Sequence, residues 1–280
     1  MTLSLTHAPI GVFDSGVGGL SVLKALQPEM PLENFIYIAD SGHAPYGERD
    51  EAHVIDRSKT IAAHLVSQNI KALVIACNTA TAAAIDLLRA DYPDLPIIGV
   101  EPALKPAVAL SKTGRIGVMA TRSTLNSSKF RALLQAQTGM AGFVVQPCDG
   151  LADAIERSAG TGNIEEAIAL CARHTGAMGK FGLENGEIDT LVLGCTHYPF
   201  VSESLAALLP EGVQLVATGE AVARQARRLV GAGAVAAGLA ISVDSNPEKV
   251  KLLTTGQPLA LQTAASQWLG LRSEVAALSF

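Results

Sequence analysis

The sequence is poor in charged and in aromatic residues. Of its 280 residues, 17% are charged and 4% are aromatic, and the formal net charge is −5. A nucleic-acid surface needs clustered basic residues, often with aromatic ones beside them, so this composition argues against a nucleic-acid partner. Hydrophobic residues make up 49% of the chain, which is enough to bury the core of one large domain or two ordinary ones.

Segments for export or membrane insertion are also missing. Residues 1–9 do not show a basic start followed by an apolar core, so we predict no signal peptide. The longest uncharged apolar run covers residues 72–85. It is shorter than the roughly 20 residues that a membrane span needs. We therefore predict a cytoplasmic protein that does not associate with membranes.

Cysteine is scarce. The four cysteines are Cys77, Cys148, Cys171 and Cys195, and no two of them form a CxxC pair. So few thiols in a chain without an export signal indicate a reducing compartment rather than a disulfide framework. We predict structural roles for Cys148 and Cys171.

The other two cysteines follow similar apolar runs in different halves of the chain. Residues 191–193 form a run typical of a buried strand, and Cys195, Thr196 and His197 come after it. Residues 73–76 form a matching run before the segment 77–79, which contains the second thiol. Ligands of open α/β sheets bind at the carboxyl ends of the strands. We therefore predict that both thiols face one ligand.

Cys77 precedes a predicted helix, and this position has a chemical consequence. A helix N-terminus stabilises a thiolate, so we predict that the pKa of Cys77 is lowered from its usual value near 8.5. The alternative is a buried, inert cysteine. Asn78 and Thr79 argue against it, because a purely structural site would be apolar there.

The order of the predicted elements indicates an α/β protein with two similar domains, largely parallel sheets and an active site in the cleft between them. Pro-containing breaks near residues 101–106 and 210–212 mark the crossings between domains. We predict a first domain over 1–101 plus 212–280 and a second over 102–211. The segment 213–217, a strand over 239–243 and a helix over 247–254 complete the first domain.

Polar residues follow several of the predicted strands. Asp14 and Ser15 open a turn with glycines at 16, 18 and 19. Such a turn before a helix can bind an anion, but its spacing is not the dinucleotide GxGxxG, so we predict no nicotinamide cofactor. Tyr46 and Gly47 lie in a loop after the second strand, where the tyrosine either packs or offers its hydroxyl to a ligand. Thr121 and Thr124 either cap a helix or face the cleft.

Two thiols in one cleft match a specific reaction. Racemising an amino acid removes the α-hydrogen and returns it on the opposite face, and two bases, one on each face, achieve this without moving. Cys77 and Cys195 can serve as these bases, one as thiolate and one as thiol. Asp14 and His197 can orient and assist them.

The chain resembles the glutamate racemases of the cofactor-independent Asp/Glu racemase superfamily. The matching runs are IGVFDSGVGGLSVL (10–23), IADSGHAPYG (38–47), IACNTAT (75–81) and LGCTHYP (193–199). The resemblance extends over essentially the whole chain. It implies two facing α/β domains with D- or L-glutamate between them, and no metal or other cofactor.

The resemblance also implies residue roles. Cys77 acts on D-glutamate and Cys195 on L-glutamate, with Asp14 and His197 as their assistants. The substrate contacts that the resemblance implies are Ser15, Tyr46, Gly47, Asn78, Thr79 and Thr196. We predict Asp14, Thr121, Thr124 and His197 as further substrate contacts. Asp40 and Glu156 match further acidic positions of the family, although spacing alone predicts a surface carboxylate pair at Asp153 and Glu156. The product would supply peptidoglycan precursors and so support cell shape. We expect a homodimer.

Three alternatives remain open at this point. An aspartate racemase would share the two thiols, and residue types do not measure the length of the substrate pocket. A non-catalytic zinc protein could use Cys77, Cys195 and His197, although Cys-x-His is not a usual structural spacing. A solute-binding domain pair would leave the thiols unexplained.

Overall fold

The computed structural model describes residues 8–236 and 249–280 and contains two parallel sheets. The larger sheet has six strands in the order β10-β9-β2-β1-β3-β4. Every pairing in it is parallel. Its strands are β1 (Ile10–Asp14), β2 (Phe35–Ala39), β3 (Ala72–Ile75), β4 (Ile97–Gly99), β9 (Val250–Thr254) and β10 (Val275–Ala277).

The smaller sheet has four strands in the order β6-β5-β7-β8, again all parallel. Its strands are β5 (Arg115–Ala120), β6 (Gly142–Pro147), β7 (Thr190–Gly194) and β8 (Gln214–Val216). Strands β1, β3 and β7 are buried along their whole length. Their continuous apolar runs reflect this, because a parallel sheet is covered on both faces.

Helices cover both sheets. In chain order they are α1 (Leu20–Glu29), α2 (Glu51–Ser67), α3 (Asn78–Asp91), α4 (Leu104–Leu110), α5 (Arg122–Asn126), α6 (Ser128–Gln135), α7 (Leu151–Thr161), α8 (Glu165–Gly176), α9 (Ser202–Leu208), α10 (Gly219–Ala236) and α11 (Pro258–Leu269). Separate apolar clusters lie on the two faces of each sheet. Within the described ranges, no helix is long and apolar enough to cross a bilayer.

The predicted α/β class with two largely parallel sheets is confirmed. One segment lies elsewhere than expected: Gln214–Val216 pairs with β7 in the smaller sheet, whereas the predicted return to the first domain was at residue 212. The domain limits remain a prediction, and this pairing moves the return beyond Val216. As a result, β8 is an edge strand of the smaller sheet, where it pairs in parallel with β7.

The end of the chain also differs from the prediction. The helix expected over 247–254 is wrong for Val250–Thr254, which forms strand β9 beside β2. Four of its five residues are buried, so packing against the sheet outweighs the local helix-start pattern. The strand expected over 239–243 lies outside the described residues.

Candidate active site

A cleft lies where the carboxyl ends of the two sheets meet, and it contains both predicted thiols. It encloses about 380 Å³ of space between atoms, including its opening to solvent. The lining residues are Ser15, Ala44, Pro45, Tyr46, Gly47, Cys77, Asn78, Thr79, Thr121, Ala152, Glu156, Cys195, Thr196 and His197. Asp14, Asp40 and Thr124 lie behind this lining. The cleft thus combines side chains that follow β1, β2, β3, β5 and β7.

Cys77 caps the N-terminus of α3, where its sulfur accepts a hydrogen bond from the backbone N–H of Ala80 at 3.4 Å. Its Sγ lies 3.9 Å from the Ser15 hydroxyl. Burial raises the pKa of the Cys77 thiol well above its ordinary value, and the charge of Asp14 raises it further. The predicted lowering of this pKa is therefore wrong, because one capping hydrogen bond is weaker than the combined cost of burial and a nearby carboxylate.

Asp14 ends β1 and is completely buried. Its carboxylate accepts hydrogen bonds from the backbone N–H groups of Ser15, at 2.7 Å, and Gly19. It also accepts one from the Thr196 hydroxyl of the opposite half at 3.2 Å. Burial raises the pKa of Asp14, and the nearby charge of His197 opposes this shift. Asp14 therefore links the Cys77 side of the cleft to the turn that contains Cys195.

Cys195, His197 and Glu156 form a relay on the other side of the cleft. The Cys195 sulfur lies 3.6 Å from His197 Nδ1, and His197 Nε2 lies 2.8 Å from Glu156 Oε2. Burial alone would lower the pKa of His197, but its contacts with Cys195 and Glu156 outweigh burial and raise that pKa well above the usual value. These contacts therefore favour the protonated imidazole beside the Cys195 sulfur.

Glu156 joins the two halves of the molecule. It comes from α7, yet its carboxylate accepts a hydrogen bond from the Val17 backbone N–H at 2.8 Å and one from the Ser41 hydroxyl at 2.6 Å. Burial opposes ionisation of Glu156, but these bonds and His197 lower its pKa. The predicted surface pair is wrong for Glu156, since only Asp153 is on the surface, where it pairs with Arg157.

The glycine-rich turn 16–19 binds anions that belong to the protein itself. Its backbone N–H groups bond to the carboxylates of Glu156 and Asp14. The glycines also allow close packing: a Cβ on Gly16 would lie 2.2 Å from Glu156 Oε2, and one on Gly18 would lie 2.3 Å from His197 Nδ1. The sequence pattern correctly indicated an anion here but did not reveal its source.

Three threonines connect the two halves at the opposite wall. Thr79 Oγ1 lies 3.1 Å from Thr121 Oγ1 and 3.4 Å from Thr124 Oγ1. The Thr121 hydroxyl also accepts a bond from the Thr124 backbone N–H. The two predicted alternatives, helix cap and cleft residue, therefore both apply to Thr121. Asn78 is buried at this wall, and neither its amide oxygen nor its amide nitrogen has a hydrogen-bond partner, so its amide can bond to a ligand.

The loop after β2 supplies the remaining wall. Tyr46 lines the cleft, while its hydroxyl donates to Asp40 Oδ2 at 2.6 Å. Burial raises the pKa of Tyr46 far above its usual value, and the charge of Asp40 adds to this shift. Asp40 does not line the cleft. Sequence reasoning missed Ser41 and Arg57, both of which bond to acidic residues of this region through contacts that are distant in sequence.

Cys148 and Cys171 are buried in the apolar cluster of the smaller sheet and do not line the cleft. Burial raises the pKa of Cys171 to about 11. This placement agrees with inert, structural thiols. Among the residues that the structure describes, no group of three His, Cys, Asp or Glu side chains has an arrangement suited to a metal ion.

Known proteins resemble this chain in both sequence and structure. Residues 20–226 match the family described as Asp/Glu/Hydantoin racemase. The chain is 48% identical over 229 residues to a glutamate racemase from Ectopseudomonas mendocina (strain ymp), which covers 82% of this chain and 84% of that protein.

Two solved structures are also similar. One is glutamate racemase from Francisella tularensis in complex with D-glutamate, with a TM-score of 0.78, 28% identity and 98% of both chains covered. The other is Escherichia coli glutamate racemase in complex with L-glutamate and the activator UDP-MurNAc-Ala. It has a TM-score of 0.79 and 29% identity, and the match covers 97% of this chain and 98% of that one.

Proposed function

This chain belongs to the Asp/Glu/hydantoin racemase family, and from that membership and the paired thiols we propose how it interconverts L- and D-glutamate. The activity is that of a glutamate racemase, an isomerase. One proton leaves the α-carbon toward a sulfur on one face, and another arrives from a sulfur on the opposite face. D-glutamate then supplies peptidoglycan precursor synthesis.

In the L-to-D direction, the Cys195 thiolate removes the α-proton. The C–H bond breaks, its electron pair stays on the α-carbon, and an S–H bond forms. The Cys77 thiol then gives its proton to the opposite face, where the electron pair forms the new C–H bond and Cys77 becomes a thiolate. Exchange of protons with solvent restores the starting form, and the D-to-L direction exchanges the two roles.

The neighbours of each thiol fit these steps. Protonated His197 favours negative charge on the Cys195 sulfur, and Glu156 keeps that proton on the imidazole. Asp14 lies by Cys77 and can accept or return its proton. Burial raises the pKa of the Asp14 carboxyl above its ordinary value, and it raises the pKa of the Cys77 thiol as well. Negative charge on the α-carbon thus forms between the two thiols, and buried neighbours control the protonation of each thiol.

Neutral donors hold the substrate. No lysine or arginine occurs among the described residues that line the cleft, although glutamate carries two carboxylates. The candidate donors are hydroxyls, amides and backbone N–H groups, which can stabilise negative charge when they are fixed and shielded from water. They come from Ser15, Gly47, Asn78, Thr79, Thr121 and Thr196, and from the backbone of Tyr46, whose hydroxyl donates to Asp40. Thr124 lies behind this wall and supports the hydroxyls of Thr79 and Thr121. The unpartnered amide of Asn78 supports this assignment most directly.

The observation that carries the proposal is a single cleft lined by two thiols from different sheets. The test is circular dichroism of L-glutamate in D₂O with chelator and without added cofactor. The optical signal should decay to zero, and the D-glutamate formed should carry deuterium at the α-carbon. Activity that disappears with chelator and returns with zinc would contradict the mechanism. Faster turnover of L-aspartate would favour an aspartate racemase instead.

We extend the proposal to the organisation of the protein. The two sheets would form the cores of two domains, and the enzyme would act as a cytoplasmic homodimer. Sedimentation velocity at assay concentration measures the mass directly, and a monomer that retains full activity would contradict the dimer.

A further inference from the structure

A buried ion pair lies directly behind the cleft wall. Asp40 is completely buried at the end of β2, and Arg57 of α2 bonds to both of its oxygens: Nε lies 3.0 Å from Oδ2 and Nη2 lies 2.9 Å from Oδ1. The Tyr46 hydroxyl donates to the same carboxylate at 2.6 Å, and the Thr255 hydroxyl donates to it at 2.8 Å. Four donors therefore hold one carboxylate, in the two-pronged geometry that arginine provides and lysine does not.

This cluster fixes both ends of the loop that lines the cleft. The Tyr46 hydroxyl bond holds the end of the loop, and Thr255 holds its start by accepting a hydrogen bond from the Gly42 backbone N–H at 3.1 Å. The next residue, Gly47, packs tightly against the other half, since a Cβ there would lie 2.8 Å from Thr121. A small movement of Tyr46 would therefore change the width of the substrate cleft.

Arg57 is covered by an aromatic ring from a distant part of the chain. The guanidinium carbon of Arg57 lies over the Phe280 ring at 5.4 Å from its centre. The rings of Phe280 and His64 also meet in an edge-to-face arrangement, with 5.4 Å between their centroids. His64 lies on α2, the helix that contains Arg57. A bond from the Leu278 backbone N–H to Thr254 O, at 2.7 Å, holds this segment against β9. Phe280 itself is 51% exposed, so its removal would open no internal cavity.

From this geometry we propose that Arg57, covered by Phe280, is a positioning residue for the racemisation reaction: it fixes Asp40, and Asp40 fixes Tyr46 and the cleft wall at 44–47. The inference rests on the proposed glutamate racemisation. It assigns Arg57 no proton transfer, because its partners are Asp40 and Phe280 and not the two sulfurs. Its loss should therefore weaken substrate binding more than it slows the chemical step.

The test measures kcat and KM for L-glutamate, together with the free energy of unfolding in urea, in the full-length protein. Arg57→Lys keeps the charge but loses the two-pronged bond, and we expect KM to rise about tenfold with kcat within about threefold of wild type. Phe280→Ala should raise KM about two- to fivefold, since a partly exposed cation–π contact is weak. Lys59→Met on the same helix is the matched control, because it breaks only the exposed ion pair with Asp91.

A double variant decides whether Arg57 acts through Tyr46. In a Tyr46→Phe background, which lacks the hydroxyl bond to Asp40, Arg57→Lys should raise KM less than about twofold further. An equal rise in both backgrounds would refute the positioning role, as would an unchanged KM in a folded Arg57→Lys protein. If Arg57→Lys fails to fold, Phe280→Ala is measured in the wild-type and the Tyr46→Phe backgrounds instead. An equal rise of KM in both backgrounds would again refute the positioning role.

The same variants separate this inference from the proposed function. A wild-type protein that does not racemise glutamate would refute the proposed function and, with it, a role of Arg57 in that reaction. The urea measurements would then still report the energetic coupling between Arg57 and Tyr46. Racemisation by the wild type with uncoupled KM effects would refute the role of Arg57 alone.

Discussion

Replacement of Gly18 by alanine should slow racemisation about a hundredfold without unfolding the protein. A Cβ at this position would lie 2.3 Å from His197 Nδ1, about 1.1 Å inside the 3.4 Å at which ordinary contact begins. Gly18 does not have a positive φ, so alanine adds no backbone strain. His197 has little freedom to move, because it bonds to Glu156 and lies against Cys195.

The expected size follows from this displacement. A shift of about 1 Å in a group placed for proton transfer lowers the rate roughly 10²-fold, which corresponds to about 2.7 kcal/mol of barrier. The lower rate should arise in the proton transfer between the α-carbon and Cys195. With α-deuterated substrates, the isotope effect should therefore grow for L-glutamate, whose α-proton we assign to Cys195, and should not grow for D-glutamate.

The assay is circular dichroism with each enantiomer, accompanied by thermal unfolding. Gly176→Ala is the control, because a Cβ at Gly176 meets no atom within 4 Å, and it should retain wild-type kinetics. A folded Gly18→Ala protein with a wild-type rate would refute the assigned role of His197. A slow enzyme whose isotope effect rises only for D-glutamate would refute the assignment of Cys195 to the L face.

Three further predictions follow from single contacts. Cys77→Ser and Cys195→Ser should each abolish racemisation measured by circular dichroism, because a hydroxyl is a far weaker acid than a thiol, whereas alanine at the two other cysteines should leave turnover nearly intact. Glu156→Gln removes a charge that raises the pKa of His197, so the basic limb of the pH profile of kcat/KM should move to lower pH; an unmoved limb would contradict the relay. Asp189 is buried and accepts hydrogen bonds from the Ser111 hydroxyl and from the backbone N–H groups of Lys112 and Thr113. Asp189→Asn should therefore lower the free energy of unfolding in urea by about 1–3 kcal/mol at neutral pH. Burial alone would raise the pKa of Asp189 but its hydrogen bonds lower it, so this difference should be complete above pH ~4 and disappear as pH falls through the folded pKa; a difference independent of pH would contradict its origin in the carboxylate.

The sequence was sufficient to predict the α/β class and the residues at the strand ends. Apolar runs followed by Asp14, Cys77 and Cys195 place polar groups at the carboxyl ends of parallel strands, and the topology brings those ends together. This is a local pattern combined with a general rule of sheet geometry. It needs no knowledge of side-chain packing.

Contacts between distant segments were harder to predict. Glu156 has the spacing of an exposed helical residue. Only the packing of α7 against two segments, the turn at Val17 after β1 and the loop at Ser41 after β2, places it in the cleft. The prediction for the pKa of Cys77 is wrong for a related reason. The sequence shows the helix end beside Cys77, but it does not show the burial of the thiol or its closeness to the charge of Asp14. Strand β9 resembles a helix start locally, and its true state depends on pairing with β2 across more than 200 residues.

The cleft that both thiols line serves two substrates that are mirror images, and this has a thermodynamic consequence. L- and D-glutamate are mirror images with equal free energies in water, so their equilibrium constant is one, and kcat/KM must be equal in the two directions for any variant of the enzyme. Damage to the Cys195 side therefore lowers both directions by the same factor, and no substitution in this cleft can produce a one-way racemase. What such a substitution can change is the balance of kcat against KM in each direction, and with it the enantiomer that accumulates on the enzyme during turnover.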